Sequence, residues 1–346
     1  MDLVEELRFF CRPDLLTVSG YEYLISGAIE ARYGGLADAV RVTEDHDVLF
    51  TFQGDPGLPP VAITAHLDIP GLMVLSLTDD GFIRLLPSGY FDPRSVYCQR
   101  VRVGRNGLQG VVLGRSAHNL DQRDFDQPLD FRDLLVDVGA RSADELRAQG
   151  LRVGDQIFLD SPLVPLLGRR VMGTGLDNRA MCAALACLMG QLRRLNGPTI
   201  HCCFTAREET SLTGAVVLTK LPLVKRCYVL DIIPAGDTPH ERDLHHDVAL
   251  DRGVGLMVMT DGDPSDFPFL DHTELLLQRA GIPCQRGLME GGETESNLLQ
   301  NLRDDLLVQN INVPCRGCHT SGEVISLADL EACIAGLMAC LEETAL

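Results

Sequence analysis

Six acid and imidazole positions, His66, Asp177, Glu208, Glu209, Asp231 and His319, stand at the ends of apolar, strand-like runs. An open α/β sheet carries its reactive groups at strand ends, so this pattern constrains the chain to bring those ends together. Each signal is weak alone. His66-Leu67-Asp68 reads as a polar surface pair, Asp177 as a helix N-cap, Glu208-Glu209 as a solvated acidic turn and His319 as a loop histidine. Taken jointly, the strand ends read as one buried pair of divalent metal ions. Two adjacent acids in a low-dielectric cleft repel each other, and a bound cation is the usual remedy. Neighbouring residues also divide the work: one binds metal while the other faces a water and takes its proton.

Composition narrows the function classes. The 346 residues are 45% hydrophobic, enough for one large core with a smaller domain beside it. Thirty Lys and Arg against 49 Asp and Glu leave a formal charge of −19, which repels phosphate backbones and anionic lipid. Nucleic acid and membranes are therefore not expected partners. The start, Met1-Asp2-Leu3-Val4-Glu5-Glu6-Leu7, has neither a basic nor a long apolar region, and no apolar run reaches the roughly 18 residues of a spanning helix. Most of the twelve cysteines, such as Cys182, Cys187, Cys202, Cys203, Cys333 and Cys340, sit in apolar stretches as small core residues. A reducing cytoplasm is the expected location. Cys315-Arg316-Gly317-Cys318 has metal-like spacing but no second pair to complete a tetrahedron.

Local patterns divide the chain. Helices are expected over Asp2–Phe10 and Gly20–Tyr33, followed by a buried strand ending on His66. From about residue 72 to 165 short alternating runs are separated by Asp-Asp-Gly, Pro-Ser-Gly and Asn-Gly turns, which predicts a small β-rich domain. One short helix, Ser142–Gln149, interrupts it behind a Ser cap. Beyond residue 170 helix and strand alternate. Asp177–Leu195 is a helix, Thr199–Thr205 a strand, Ser211–Thr219 a helix and Arg226–Ile233 a strand. Further expected elements are strand Val254–Thr260, helix His272–Ala280, strand Pro283–Leu288, helix Glu295–Asn301, strand Leu306–Ile311 and a last helix from Ser326. The fold class is α/β, with a mixed central sheet covered by helices on both faces and an inserted small β-rich domain.

At this level of detail the chain resembles a known family. Ala65-His66-Leu67-Asp68, Leu176-Asp177-Asn178-Arg179, Phe204-Thr205-Ala206-Arg207-Glu208-Glu209, Asp231 with Ala235-Gly236-Asp237-Thr238-Pro239, and Val313-Pro314 through His319 are similar in order and spacing to the glutamyl and tetrahedral aminopeptidases. These are cytosolic two-metal exopeptidases. The resemblance extends to the inserted region, where Leu134 to Ala140 and Val153-Gly154-Asp155 fit the family's return to the catalytic domain. It implies a zinc-exopeptidase-like catalytic domain at 1–71 and 166–346, and a β-barrel-like, PDZ-like oligomerisation domain at 72–165.

By position, the resemblance implies that Asp177 bridges two metals. Glu209 and His319 complete one site, and His66 and Asp231 the other. Glu208 is implied as general base and Asp68 as the residue that orients His66. Zinc is the implied metal, with cobalt or manganese accepted by such mixed ligands. Implied partners are short peptides and further copies of the chain, up to a dodecamer. Two departures bear on substrate choice. Ile69-Pro70-Gly71 replaces the family's Glu-Ile-Gly, and Gly291-Gly292-Glu293-Thr294-Glu295-Ser296 replaces Gly-Gly-Thr-Asp-Ala. Gly292, Thr294 and Glu295 are accordingly the expected substrate-binding residues. The expected activity is removal of N-terminal residues from short peptides, the alternative being an amidase or deacylase acting at the same site on a small or N-modified substrate.

Overall fold

The strand-forming runs assemble into two sheets in a computed structural model that describes residues 1–119, 128–221, 223–241 and 247–343. In chain order the strands are β1 (Ala39–Val42), β2 (Val48–Phe52) and β3 (Val61–His66), then six short ones: β4 (Gly71–Leu77), β5 (Ile83–Ser88), β6 (Arg100–Val103), β7 (Leu108–Leu113), β8 (Leu135–Asp137) and β9 (Gln156–Leu159). The chain continues with β10 (Val164–Leu166), β11 (Arg170–Gly173), β12 (Ile200–Thr205), β13 (Arg226–Pro234), β14 (Val254–Thr260), β15 (Asp263–Pro264), β16 (Cys284–Met289), β17 (Leu307–Arg316) and β18 (Glu323–Ser326).

Four parallel strands, β12, β3, β13 and β17, form the middle of the large sheet. They are buried along nearly their whole length, as strands covered on both sides are, and mostly apolar apart from Gln309, Asn310 and Asn312 of β17. Antiparallel partners finish the sheet: β2 and β1 beyond β12, and β18, β11 and β10 beyond β17, with β14 and β16 branching from β17. On one face lies the helix Leu176–Leu192, buried along most of its length. Its many Ala and Cys residues let it press against strands β3 and β13 and against the helices Leu3–Phe10 and Leu327–Glu342. Phe204 of β12 joins Phe10, Tyr33 and Phe50 in an aromatic cluster, stacked on Phe10 at 5.8 Å and edge-on to Phe50 at 5.8 Å between centroids. The opposite face carries a smaller core of Ala62, Cys203, Val229 and Val308 under Leu299 of the helix Glu295–Leu302.

The second sheet closes on itself as a barrel in the order β4-β5-β8-β7-β6-β9. Its interior is filled by Leu72, Val74, Ile83, Val101, Val103, Val112, Val136 and Ile157. Closure leaves no open sheet edge. The predicted helix within it spans Ala143–Ala148, with the Ser142 side chain accepting from Glu145 N. Where the barrel leaves the large sheet, Val18, Ile69 and Phe158 pack together. A β-carbon on Gly71 would lie 2.2 Å from Val18 Cγ2, so only glycine fits at that junction.

Some elements depart from local expectation. The stretch Ser211–Thr219 is a single helical turn, Glu208–Ser211, and a 3₁₀ helix, Thr213–Lys220, broken at a left-handed Leu212. Gly214 folds back onto the end of β12 and donates its N–H to Ala206 O at 3.0 Å, which interrupts regular pitch. The helix expected from His272 begins at Phe267, capped by the Asp266 side chain. Strand β17 runs on past Pro314 to Arg316, because β13 pairs it along its whole length and β18 takes up Cys315 and Arg316. All twelve cysteines are free. No helix among the described residues is long and apolar enough to cross a membrane.

Phe204 links the sheet to its helical cover immediately before the chain enters the site. Phe204→Ala is expected to lower unfolding free energy by about 3–5 kcal/mol, read as a fall in the urea midpoint; an unchanged midpoint would contradict this packing.

Candidate metal centre

Parallel registration brings the strand ends to one level. Thr205 of β12 lies opposite His66 of β3, and Ala65 lies opposite Leu230 of β13, so His66 and Asp231 emerge side by side. The other groups arrive on turns. Asp177 follows Gly175, which caps the long helix at φ 72 and lies so close to Ile69 that a β-carbon would sit 2.9 Å from Cγ2. Glu208 and Glu209 follow the left-handed Arg207, and His319 itself is left-handed at φ 59 in the β17–β18 loop. Asp177 is thus no ordinary N-cap: its own dihedrals are non-helical and its carboxylate lies beside the imidazoles of His66 and His319.

The six expected residues converge. His66 Nε2 lies 3.4 Å from Asp177 Oδ1, 3.7 Å from Glu208 Oε2 and 3.8 Å from Asp231 Oδ1. On the other side of Asp177, its Oδ2 is 3.2 Å from His319 Nε2, which is 3.7 Å from Glu209 Oε2. Two triads result, His66-Asp177-Asp231 and Asp177-Glu209-His319, each with donor atoms within 4.8 Å of one another and both sharing Asp177. A third grouping, His66-Glu208-Glu209, also contains His66. Neither Cys315 nor Cys318 joins any such group among the described residues.

Both imidazoles are oriented from behind. His66 Nδ1 donates to the main-chain carbonyl of Asp68 at 3.0 Å, and His319 Nδ1 donates to Tyr90 O at 2.7 Å. Each ring thereby turns its Nε2 toward the acids, the nitrogen through which it would hold a metal. The Asp68 carboxylate stands 3.6 Å from His66 and is committed elsewhere: it accepts Ser19 Oγ at 2.6 Å and the N–H groups of Glu208 and Glu209 at 3.1 Å each. Asp68 therefore orients His66 through its carbonyl and the Glu208–Glu209 turn through its carboxylate. Glu323 acts in the same way on the opposite side, accepting Asp177 N at 3.2 Å and His319 N at 3.0 Å. Asn178 Nδ2 ties the Asp177 turn to Leu230 O at 2.7 Å.

The electrostatics call for cations. Burial, reinforced by neighbouring acids, pushes Glu208 and Glu209 well above the usual carboxylate range. Burial likewise raises Asp231 and takes Glu323 up to about 8. Burial also opposes ionisation of Asp177, but the two imidazoles overcome it and hold that carboxyl low. His319 rises to about 11 because Glu209 and Asp177 outweigh its burial. Asp177 Oδ1 and Glu209 Oε1 are buried with no hydrogen-bond partner among the described residues. Buried oxygens without donors beside two imidazole nitrogens form a set that divalent cations fit.

A cleft of about 690 Å³ opens over these groups. The large-sheet part contributes Leu212, Ile232, Pro234 and Met289, and the barrel contributes Tyr90, Asp92 and Ser95. Gly89 crosses close above the site, where a β-carbon would stand 3.2 Å from Glu209 O. Of the three expected substrate-binding residues, Gly292 and Thr294 line the cleft. Glu295 does not. It is 1% exposed, packed beneath the cleft against the hydroxyls of Thr64 and Thr205, because the Thr294-capped helix turns its first residue down onto the sheet. Sequence patterns alone missed Glu323, Asn178 and the Tyr90 carbonyl. Glu323 sits in an ordinary polar turn, and a main-chain carbonyl carries no residue-type signal at all.

Comparison with known proteins agrees with this architecture. The model of the M42 glutamyl aminopeptidases matches residues 47–335, and the chain belongs to that family. It is 29% identical to FrvX of Escherichia coli over 81% of this chain and 79% of that protein. It is 27% identical to the lysyl aminopeptidase of Pyrococcus furiosus over 94% and 93% of the two chains. Among solved structures, the TET aminopeptidase of a marine-sediment Thaumarchaeota archaeon superposes with a TM-score of 0.93 at 24% identity, covering 99% and 97% of the chains. The Pyrococcus horikoshii TET1 peptidase, which assembles into a tetrahedron or a large octahedral shell, superposes at 0.88 with 26% identity over 99% and 100%. The chain is accordingly a peptide hydrolase with aminopeptidase activity, of a family that uses divalent metal.

Metal removal carries a pH signature. Glu208, Glu209 and Glu323 all titrate above their unfolded value of 4.5. Their contribution to stability is full below that pH and is lost as pH rises through the folded values. The raised imidazoles act in the same direction. Thermal scans of chelated protein are expected to show a midpoint that falls from pH 5 to pH 8, and metal-loaded protein a much smaller fall; equal slopes would contradict this assignment.

Proposed function

We propose that the chain removes N-terminal residues from short peptides at a site holding two divalent cations, with Glu208 as general base. The observation that carries the reading is the sharing of Asp177 between two triads while Glu208 stands beside both and opens to the cleft. In this assignment His66 and Asp231 hold one cation, Glu209 and His319 the other, and Asp177 contacts both. Zinc is the proposed ion, cobalt and manganese being compatible with the same donors.

Bound cations in such a pair lower the pKa of a water, polarise a carbonyl and stabilise developing negative charge. The remaining steps fall to the protein. Glu208 takes a proton from the attacking water onto its carboxylate and delivers it to the departing amine. Asp68 holds Glu208 at the required angle through the main chain. Gly292 and Thr294 form one wall for the substrate, and Tyr90 with Asp92 of the barrel forms the facing wall. Enclosure between two walls limits water and favours short, flexible chain ends over folded protein.

Residues 72–165 are proposed to act as an assembly domain as well as a wall of the cleft. The assembly known for the Pyrococcus horikoshii TET1 peptidase supports a homo-oligomer, a dodecamer being one size consistent with a tetrahedral particle. Size-exclusion with light scattering decides this, and a monomer at micromolar concentration would refute it.

Glu208→Gln is expected to lower kcat by at least about 10²–10⁴-fold while metal content stays near two ions per subunit. Full activity in that variant would remove Glu208 as base. Paired assays on free and N-acetylated dipeptides test the substrate assignment. Cleavage confined to free amino termini supports an aminopeptidase, and cleavage confined to blocked substrates supports the deacylase alternative.

A further inference from the structure

The main chain between β12 and the catalytic acids is held by carboxylates drawn from three distant parts of the sequence. Ladder pairing of β12 with β3 ends at Thr205 and His66, so the next N–H groups need other acceptors. Ala206 N donates to Asp47 Oδ1 at 3.0 Å and Arg207 N to Glu22 Oε1 at 2.9 Å. Glu208 N and Glu209 N then donate to the two oxygens of Asp68 at 3.1 Å each. Four successive donors thus meet three buried acids.

The backbone they hold is strained. Arg207 has φ 58 and ψ 33, a left-handed conformation that residues with a β-carbon avoid. That kink turns the chain so that Glu208 and Glu209, adjacent in sequence, both reach the cleft from a strand that points past it. Four successive N–H groups each given an acceptor suit the turn to being held in an unfavourable conformation.

Each acid is itself fixed. Asp47, in the β1–β2 turn, accepts Thr43 Oγ1 at 2.8 Å while its N–H donates back to that oxygen at 3.1 Å. Glu22 precedes the helix Tyr23–Tyr33. The wholly buried guanidinium of Arg179, anchored to Thr17 Oγ1 at 2.9 Å, supplies positive charge to both Glu22 and Asp68.

We propose that Glu22 and Asp47 are positioning residues for the reaction: with Asp68 they hold the left-handed Arg207 turn and so aim Glu208 at the attacking water and Glu209 at its cation. This rests on the reading of Glu208 as base. Neither residue touches substrate or metal, and their effect passes entirely through the N–H groups of Ala206 and Arg207.

The test is a variant series assayed at saturating metal. Glu22→Ala and Asp47→Ala are expected to lower kcat on the order of 10–100-fold with KM and bound metal close to wild type. Glu22→Gln and Asp47→Asn still present a carbonyl oxygen to the same N–H and are expected to recover most of kcat. Should an alanine variant fail to fold, Glu22→Asp keeps the charge and withdraws the acceptor by about one methylene, and the same fall in kcat is expected. The proposal is overturned if folded Glu22→Asp or either folded alanine variant retains wild-type kcat, or if the amide variants lose as much as the alanines. Glu208→Gln, run in parallel, separates the two readings. Wild-type cradle variants beside an inactive Glu208→Gln overturn only the positioning role, whereas an active Glu208→Gln removes the base and its positioning together.

Discussion

Burial of several carboxylates in one small volume is the constraint around which this molecule is built. Asp68, Asp177, Glu208, Asp231 and Glu323 are all buried, and Glu209 lies beside them. Such groups are tolerated only where each oxygen finds a donor or a cation. The structure divides them by partner. Asp68 and Glu323 are met by main-chain N–H groups, whereas Asp177, Glu209 and Asp231 are left facing two imidazole nitrogens, with Asp177 Oδ1 and Glu209 Oε1 lacking donors among the described residues. The first group shapes the backbone, and the second leaves a need that divalent cations meet.

That division explains why the large sheet and the barrel belong to one functional unit. The parallel strands deliver His66 and Asp231 at the same height. Turns held by Glu323 and Asp68 deliver Asp177, His319, Glu208 and Glu209 around them. The barrel supplies the Tyr90 carbonyl that orients His319, and Ser321 Oγ donates to its Gln99 Oε1 at 2.9 Å. A shift of the barrel would therefore act on the orientation of His319 as well as on the width of the cleft.

Much of this was legible in residue patterns because the signals are local. Apolar runs ending in His66, Glu208 and Asp231 mark parallel strands whose ends meet, and Asp-Gly and Asn-Gly turns mark the barrel. Other features were not legible, since their cause lies far along the chain. Leu212 is left-handed because Gly214 must return to Ala206, and β17 continues through Pro314 because two neighbours pair with it. Glu295 read as a substrate contact from its place after two glycines, yet its helix turns it onto Thr64 and Thr205.

Sequence alone determined the fold class with its inserted barrel and singled out six residues that the fold brings together, because hydrophobic periodicity and strand-end chemistry are properties of short segments. Tertiary structure decided which carboxylate does what. Asp68 and Asp177 are the same residue type, but one lies among main-chain donors and the other between two imidazoles. Glu22, Asp47 and Glu323 acquire their roles only when packing brings them to N–H groups 185, 159 and 146 or fewer residues away. The function of a buried charge is set by its neighbours in space, and those neighbours are chosen by the fold.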